Sequence, residues 1–577
     1  MIDSNRHENR IGSLQAQICF ISNIPEIPRL KEFVQLTYFK EQYFEKLLSD
    51  GEARVRQNFH ILIKSIFVTY KDIQDSEYIN QSNLKMIQAI IDAAGIENIS
   101  DQIYEIIDFC VQSKNRYVRE QIQDLIQSIL KLYNKDNLKG IQKLATHIGS
   151  GLADNWSQVR FSASKAARAV YELVKDVEEF RDLIDKILVP RICFNRHYMA
   201  EGIKIYNQDT WKFIMGDQGK QNLLKLSNEV VEFYNSQLFS ENFQVREVST
   251  ECFDELFIHV APLDKEAFKP YLNQILGNLI SRVVDPQWQV RRGVFLTIGN
   301  IASVYDEELK DYDQIENVCF LLFKHLSENV PTVREAASIT LGQLLGKGFE
   351  LKEKLTNYLK ENLLKAKQQQ PLKAQSSIPY GIKFDIEEAK NSSSEMSIED
   401  RIKQQEELEK AKQEQLVDPG FLRPAELWEF SDGSIYLMRE ISKHSKIIGQ
   451  DFQKLLQSLP DLGFLDQFTE ASLLKENLFQ SLVEIILNFG KSQFRPYLEL
   501  FIEPAFRTAK DDRYNCQYPA QEFVMTLVKV YGQSIVRAVI ESYDDRFLGD
   551  FQNIIERENK SHPLQGRYPG FNQQYPR

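Results

Sequence analysis

The dipeptide Val-Arg returns along this chain in one fixed context, at Val55-Arg56, Val118-Arg119, Val159-Arg160, Val245-Arg246, Val290-Arg291 and Val333-Arg334. The steps between successive copies are 63, 41, 86, 45 and 43 residues. A period of that length marks a repeat architecture, in which each unit buries its apolar face only by stacking on its neighbours. The 86-residue step is two periods, so a unit without Val-Arg is expected between residues 160 and 245. The 63-residue step is one period plus a loop, for which the polar stretch 71–83 is the candidate.

The surroundings of the dipeptide repeat as well. Five residues before each Val stand Asp50, Ser113, Asp154, Ser240, Asp285 and Glu328. All but Glu328 are turn-forming or helix-capping types, and Glu328 supplies negative charge. An acidic residue six before an Arg can pair with it across the turn or with the neighbouring repeat. The structural repeat positions are thus Asp50, Arg56, Arg119, Asp154, Arg160, Arg246, Asp285, Arg291, Glu328 and Arg334.

After each Val the apolar residues fall at +4, +7, +8 and +11. They read Phe59, Leu62, Ile63, Ile66; then Ile122, Leu125, Ile126, Ile129; then Ala163, Ala166, Ala167, Val170. The later units give Val294, Thr297, Ile298, Ile301 and Ala337, Thr340, Leu341, Leu344. That spacing is one face of an α-helix. A second apolar helix precedes each turn, clearest at 272–284 and 318–326. The unit is therefore helix A, a short turn and helix B, and the fold class is all-α: a solenoid of stacked antiparallel helix pairs.

Bulk properties agree. Only 25 Gly and 18 Pro occur in 577 residues, less turn punctuation than a large β or α/β protein needs. The net charge of −12 argues against a dominant nucleic-acid role, which requires a concentrated basic surface. The six cysteines are scattered and form no CxxC pair, which favours a reducing compartment and excludes a disulfide framework. The first residues, MIDSNRHENRIGS, lack the layout of a signal peptide, and no apolar run is long enough to span a membrane. A cytoplasmic location is expected, with the nucleus as the alternative.

The turns Asp154-Asn-Trp-Ser-Gln-Val-Arg160 and Asp285-Pro-Gln-Trp-Gln-Val-Arg291 resemble the Asp-x-x-x-x-Val-Arg turn of HEAT-repeat (armadillo-type) proteins. The resemblance covers roughly residues 40–350. The tryptophan ahead of Val-Arg is similar to that of the protein phosphatase 2A scaffold and related phosphatase regulatory subunits. That resemblance implies a HEAT solenoid and a scaffold holding a phosphatase catalytic subunit.

Two regions depart from the pattern. The unit near residue 200 reads as a helix with Met199, Ile203, Tyr206 and Trp211 on or near one face, and it is crowded with Asn195, Arg196, His197 and Tyr198. A degenerate repeat with a wider turn accounts for these residues; a partner-binding site is the alternative, because local rules tend to be broken where function resides. Residues 366–423 are polar, reading as an insertion or linker with a charged helix at 401–415. Amphipathic segments resume at 424–557, and the Pro/Gly/Tyr-rich tail 558–577 is expected to be disordered. The four divisions are thus 1–365, 366–423, 424–557 and 558–577.

No HExxH, GxSxG or EF-hand pattern is present, and no two histidines stand three or four residues apart. The run Gly342–Gly348 has the outline of a phosphate loop, but it follows a helix and lacks the Ser/Thr after Lys347; it reads as a helix end with a glycine cap. No enzyme, metal or cofactor is expected. The function expected is a non-catalytic protein-binding scaffold, with an importin-like transport adaptor or a cytoskeletal or ciliary component as alternatives. The turns carry Tyr117, Trp156, Tyr198, Phe243 and Trp288 at one place in successive units. Exposed aromatic and Arg residues anchor protein interfaces. The candidate protein-binding set is therefore Tyr117, Trp156, Asn195, Arg196, His197, Tyr198, Trp211 and Trp288. The same rings can instead pack on the next repeat; Phe243 is expected in the core, whereas Trp156 and Trp288 fit either place.

Overall fold

The apolar stripes that follow each Val are buried as helix faces. Ile122, Leu125, Ile126 and Ile129 have no exposed surface, and Ala163, Ala166, Ala167 and Val170 are equally closed. Val294, Thr297, Ile298 and Ile301 are buried as well, as are Ala337, Thr340, Leu341 and Leu344. The computed structural model describes residues 6–23, scattered positions between 52 and 62, 101–134, 138, 140–370 and 424–561. Of the unit that opens at Val55, Val55 and Leu62 are buried; Asp50, Arg56, Phe59, Ile63 and Ile66 lie outside the described residues, as do the loop 71–83 and the charged helix 401–415.

The chain divides into two compact units, Met1–Lys269 and Pro270–Arg577. The principal helices of the first are α1 (His7–Asn23), α2 (Asp101–Val111), α3 (Arg116–Lys131), α4 (Ile141–Leu152), α5 (Ser157–Val174), α6 (Glu178–Asn195), α7 (Glu201–Met215), α8 (Ser227–Gln237) and α9 (Phe243–Glu255). From α2 onward they form A/B pairs joined by short turns. The B helix α5 packs between α3 and α7, and its small residues Ala163, Ala166 and Ala167 allow that approach. One apolar core runs from Ile107 to Ile192.

In the second unit follow α10 (Leu272–Arg282), α11 (Trp288–Val304), α12 (Ile315–His325), α13 (Pro331–Gly346) and α14 (Lys352–Asn362). Then come α15 (Leu427–Ser442), α16 (Gln450–Ser458), α17 (Ala471–Phe489), α18 (Leu498–Ala509), α19 (Tyr514–Tyr531), α20 (Gln533–Tyr543) and α21 (Leu548–Ser561). The B helices α11, α13, α15, α17 and α19 stack each on the next. Among the described residues there is no β-strand. The fold is an all-α solenoid array, as the period predicts.

Several turns are set by their polar residue. Asn115 and Asn242 cap α3 and α9 by accepting from Tyr117 N and Gln244 N, each at 3.0 Å. Asp154 and Asp285 accept from the amides of Trp156 and Gln287, two residues on, at 2.9 and 3.0 Å. The run Gly342–Gly348 ends α13: Gly348 takes a left-handed φ of +79°, and Phe349 N reaches back to Leu344 O at 3.2 Å.

The divergent unit is a helix pair like the others. The expected single helix is interrupted: α6 ends at Asn195, the turn holds Arg196–Ala200, and α7 begins at Glu201. Met199 stands exposed in that turn, whereas Ile203 is buried on α7.

The insertion replaces a turn. Described structure continues past 366 to residue 370, and Ala366 is fully buried, its amide held by the Ser431 hydroxyl at 2.8 Å. Gln369 accepts from Trp428 N and donates to Glu426, both at 3.3 Å. Glu426 and Glu429 close a capping box on α15. The two ends of residues 371–423 are thus fastened together between helix A (α14) and helix B (α15). The segment itself lies outside the described residues, as do residues 562–577 of the tail; α21 continues to Ser561.

Candidate protein-binding surface

Four of the repeat arginines, Arg119, Arg160, Arg291 and Arg334, connect successive pairs. Each described repeat arginine turns back to the backbone carbonyl six residues before it: Arg119 to Ser113 O at 2.7 Å, Arg246 to Ser240 O at 2.8 Å, Arg291 to Asp285 O at 2.7 Å, Arg160 to Asp154 O, and Arg334 to Glu328 O. The rest of the guanidinium reaches forward. Arg119 holds Asp154 with two bonds of 2.6 and 3.0 Å, and Arg291 holds Glu328 at 3.2 Å. Arg334 holds Asp432 at 2.8 Å, across the insertion. One residue therefore serves three groups: Asp154 orders its own turn, offers its carbonyl to Arg160 and gives its carboxylate to Arg119.

At the divergent unit the partner is neutral. Arg160 Nη1 donates to Leu152 O at 2.9 Å and to Asn195 Oδ1 at 2.7 Å. Asn195 in turn donates to Leu152 O at 2.9 Å. The Arg160 guanidinium is fully buried and lies over the Tyr198 ring, 4.5 Å from its centroid. Burial pulls its pKa down to about 10, against the opposing pull of Tyr198 and Asp154. Asn195 and Tyr198 are therefore interior supports of Arg160, with 0% and 2% exposure, and no partner can reach them. Their polarity and aromaticity suggest surface; an arginine without a carboxylate explains their burial.

Arg196 and His197 also turn inward. Both converge on Glu255 Oε2 of α9, at 2.7 and 3.0 Å, and Arg196 lies 4.1 Å over Trp211. Burial raises the Glu255 carboxyl, but the Arg196 charge and the His197 hydrogen bond outweigh it and hold it at about 2. Trp211 packs against the apolar core. This cluster fastens the turn after α6 to α9.

The first two turns behave differently. Tyr117 and Trp156 are 46% and 45% exposed. Arg116 lies between them, 4.7 Å from the Tyr117 ring and 4.1 Å from the Trp156 ring. Rings of successive turns thus share one cation. Trp288 and Phe243 are half-buried.

A further surface lies away from the turns. On α5 the face opposite the buried alanines presents Phe161, Lys165 and Arg168, followed by Lys175 at the C-cap; on α7 Tyr206 and Phe213 lie beside them. Phe161 and Tyr206 meet edge-on at 5.6 Å. Lys165 stands 5.5 Å from the Phe161 ring, and Arg168 stands 5.8 Å from Tyr206 and 5.3 Å from Phe213. The signal was present in the sequence as an aromatic and two cations at i, i+4 and i+7.

Among the described residues no group of His, Cys, Asp and Glu could hold a metal ion. Burial pushes the thiols of Cys110 and Cys193 up to about 12 and about 11, far from a nucleophilic thiolate at neutral pH. No single described helix is long and apolar enough to cross a membrane; α19 and α20 together reach that apolarity but bend by 118°.

No family model and no curated protein matches the chain. Solved structures do. The karyopherin Kap121p, bound to the SUMO protease Ulp1p, is 13% identical over 97% of this chain and 54% of its own, with a TM-score of 0.39. Importin beta, crystallised in an ammonium sulfate condition, is 12% identical over 98% of this chain and 69% of its own, with a TM-score of 0.34. Yeast importin-beta (Kap95p) is 12% identical over 97% and 79%, with a TM-score of 0.28. This chain spans about half the length of Kap121p.

Proposed function

We propose that this chain is a non-catalytic scaffold that binds a partner protein through its first unit. The observation that carries the reading is the exposed cation–aromatic surface, from the shared Arg116 between Tyr117 and Trp156 to Phe161, Tyr206 and Phe213. Large rings held rigid by stacked cations cost little ordering on binding and bury much area. The test is capture of partners from native extract by the intact chain and by Trp156→Ala and Phe161→Ala/Tyr206→Ala variants, with helicity measured alongside. Selective loss of a partner by folded variants supports the reading; full retention by both sinks it.

Two finer readings sit inside this class. The turn tryptophans favour a phosphatase scaffold or regulatory subunit, in which case the captured partner is a phosphatase catalytic subunit. The carboxylates around Arg439 on the B helices of the second unit favour an importin-like transport adaptor: Glu335 at 2.8 Å, Glu440 at 2.9 Å and Glu484 at 3.8 Å. There the captured partner is a cargo or a small GTPase. Imaging the tagged chain tests the cytoplasmic location proposed for either role.

A further inference from the structure

The α5–α7 face has a centre and two flanks. Lys165, Arg168 and Lys175 run down the centre on α5, with Phe161 above and Tyr206 and Phe213 beside them on α7. We infer that this face takes an acidic linear peptide of a partner protein, with Asp or Glu at about every third residue and apolar residues between. The inference rests on the protein-binding reading above and names the partner's chemistry.

Spacing gives the pattern. Phe161 to Lys175 covers about 21 Å at 1.5 Å per helical residue. An extended segment of about six residues spans that distance. Arg168 and Lys175 are two helical turns apart, about 10 Å, which is about three extended residues. Carboxylates at that interval meet successive cations, and the side chains between them fall on Tyr206 and Phe213.

Charge gives the sign. The chain carries −12 overall, yet this central row is cationic. Asp124 lies 3.2 Å from Lys165 and Glu172 lies 3.8 Å from Arg168, while Asp209 stands exposed on α7. Such solvent-facing pairs contribute between nothing and about 1 kcal/mol, so carboxylates of a peptide can exchange with them at little cost. Among the described residues Arg116 and Lys175 have no carboxylate within ion-pair distance and stay available for one. Nucleic acid also stacks on aromatics, so a single-stranded nucleic acid is the competing outcome of the test.

The experiment uses the intact chain and fluorescence anisotropy. The probes are a labelled short peptide with Glu at every third position and Leu or Phe between, its Gln counterpart, and oligouridine. The acidic peptide is expected to bind about tenfold or more tighter than the Gln peptide, to weaken as salt rises, and to lose about tenfold in Lys165→Glu/Arg168→Glu. Equal binding of the two peptides, tighter binding of oligouridine, or undiminished binding by the charge-reversed chain overturns the inference. The two readings fail separately. If Phe161→Ala/Tyr206→Ala loses its extract partners while the acidic peptide fails to bind, the surface stands and the acidic chemistry falls. If that folded variant keeps its partners, the surface itself falls.

Discussion

Arg160 donates to the side-chain oxygen of Asn195 at 2.7 Å, where Arg119, Arg291 and Arg334 each meet a carboxylate of a later helix pair. A buried guanidinium with a neutral partner depends on every hydrogen bond it makes. Asn195→Ala removes the amide that bridges Arg160 and Leu152 O. It is expected to cost about 1.5–3 kcal/mol, the range for a hydrogen bond to a charged group. Urea unfolding of the intact chain followed by circular dichroism reads the loss in its earliest transition. An unchanged transition would show that Asn195 does not support Arg160.

Trp156 tests the opposite expectation. It is half-exposed and its stack on Arg116 faces solvent. Trp156→Ala should shift stability by less than about 1 kcal/mol. A thermal melt that collapses instead would place the ring among the structural supports.

Gly433 on α15 lies against the Leu326 carbonyl at the end of α12, and a Cβ built there would overlap that oxygen. The obstacle is backbone, so no side chain can move aside. Gly433→Ala is expected to destabilise the second unit by about 2 kcal/mol or more. Thermal denaturation with an unaltered midpoint would contradict the close approach.

His325 predicts a dependence on pH. Burial pulls its imidazole down from 6.5 to about 4; Arg291 and Lys324 add to that, and the Leu321 carbonyl opposes it. The unfolded chain therefore binds this proton first. The stability held by neutral His325 is complete above about pH 6.5 and falls as pH drops towards 4. The loss is on the order of 2 kcal/mol, since Glu328, 3.8 Å away, offsets part of the cost of protonation. His325→Gln should lower stability at pH 7 but flatten its fall between pH 7 and 5, compared by unfolding midpoints. Parallel curves for the two proteins would assign the acid sensitivity elsewhere.

The repeat was legible because two independent spacings coincide in it. Val fixes which helix face is buried, and Arg lies six residues beyond a turn residue whose carbonyl it reaches. Where the rule is kept, as at Arg119 and Asp154, residue types alone predict the pairing with the neighbouring repeat. Asn195 and Tyr198 were misplaced on the surface because their burial depends on what Arg160 lacks, and composition does not show a missing partner. The Asp432 partner of Arg334 was hidden for a different reason. It lies 98 residues on, and the insertion erases the period that would have pointed to it. The α5–α7 face is hidden in the sequence, since an aromatic at i with cations at i+4 and i+7 looks like an ordinary solvated helix side, and only the fold brings Phe161 against Tyr206.

The arginine contacts give each unit a memory only one repeat deep. Arg119 senses Asp154 and Arg291 senses Glu328, and neither reaches past its neighbour. Loss of one link weakens the next pair and is diluted beyond it, as in a row of coupled spins. Damage should therefore spread along a unit in steps and not everywhere at once, and amide exchange after Asn195→Ala should fade with distance from α6 in whole helix pairs.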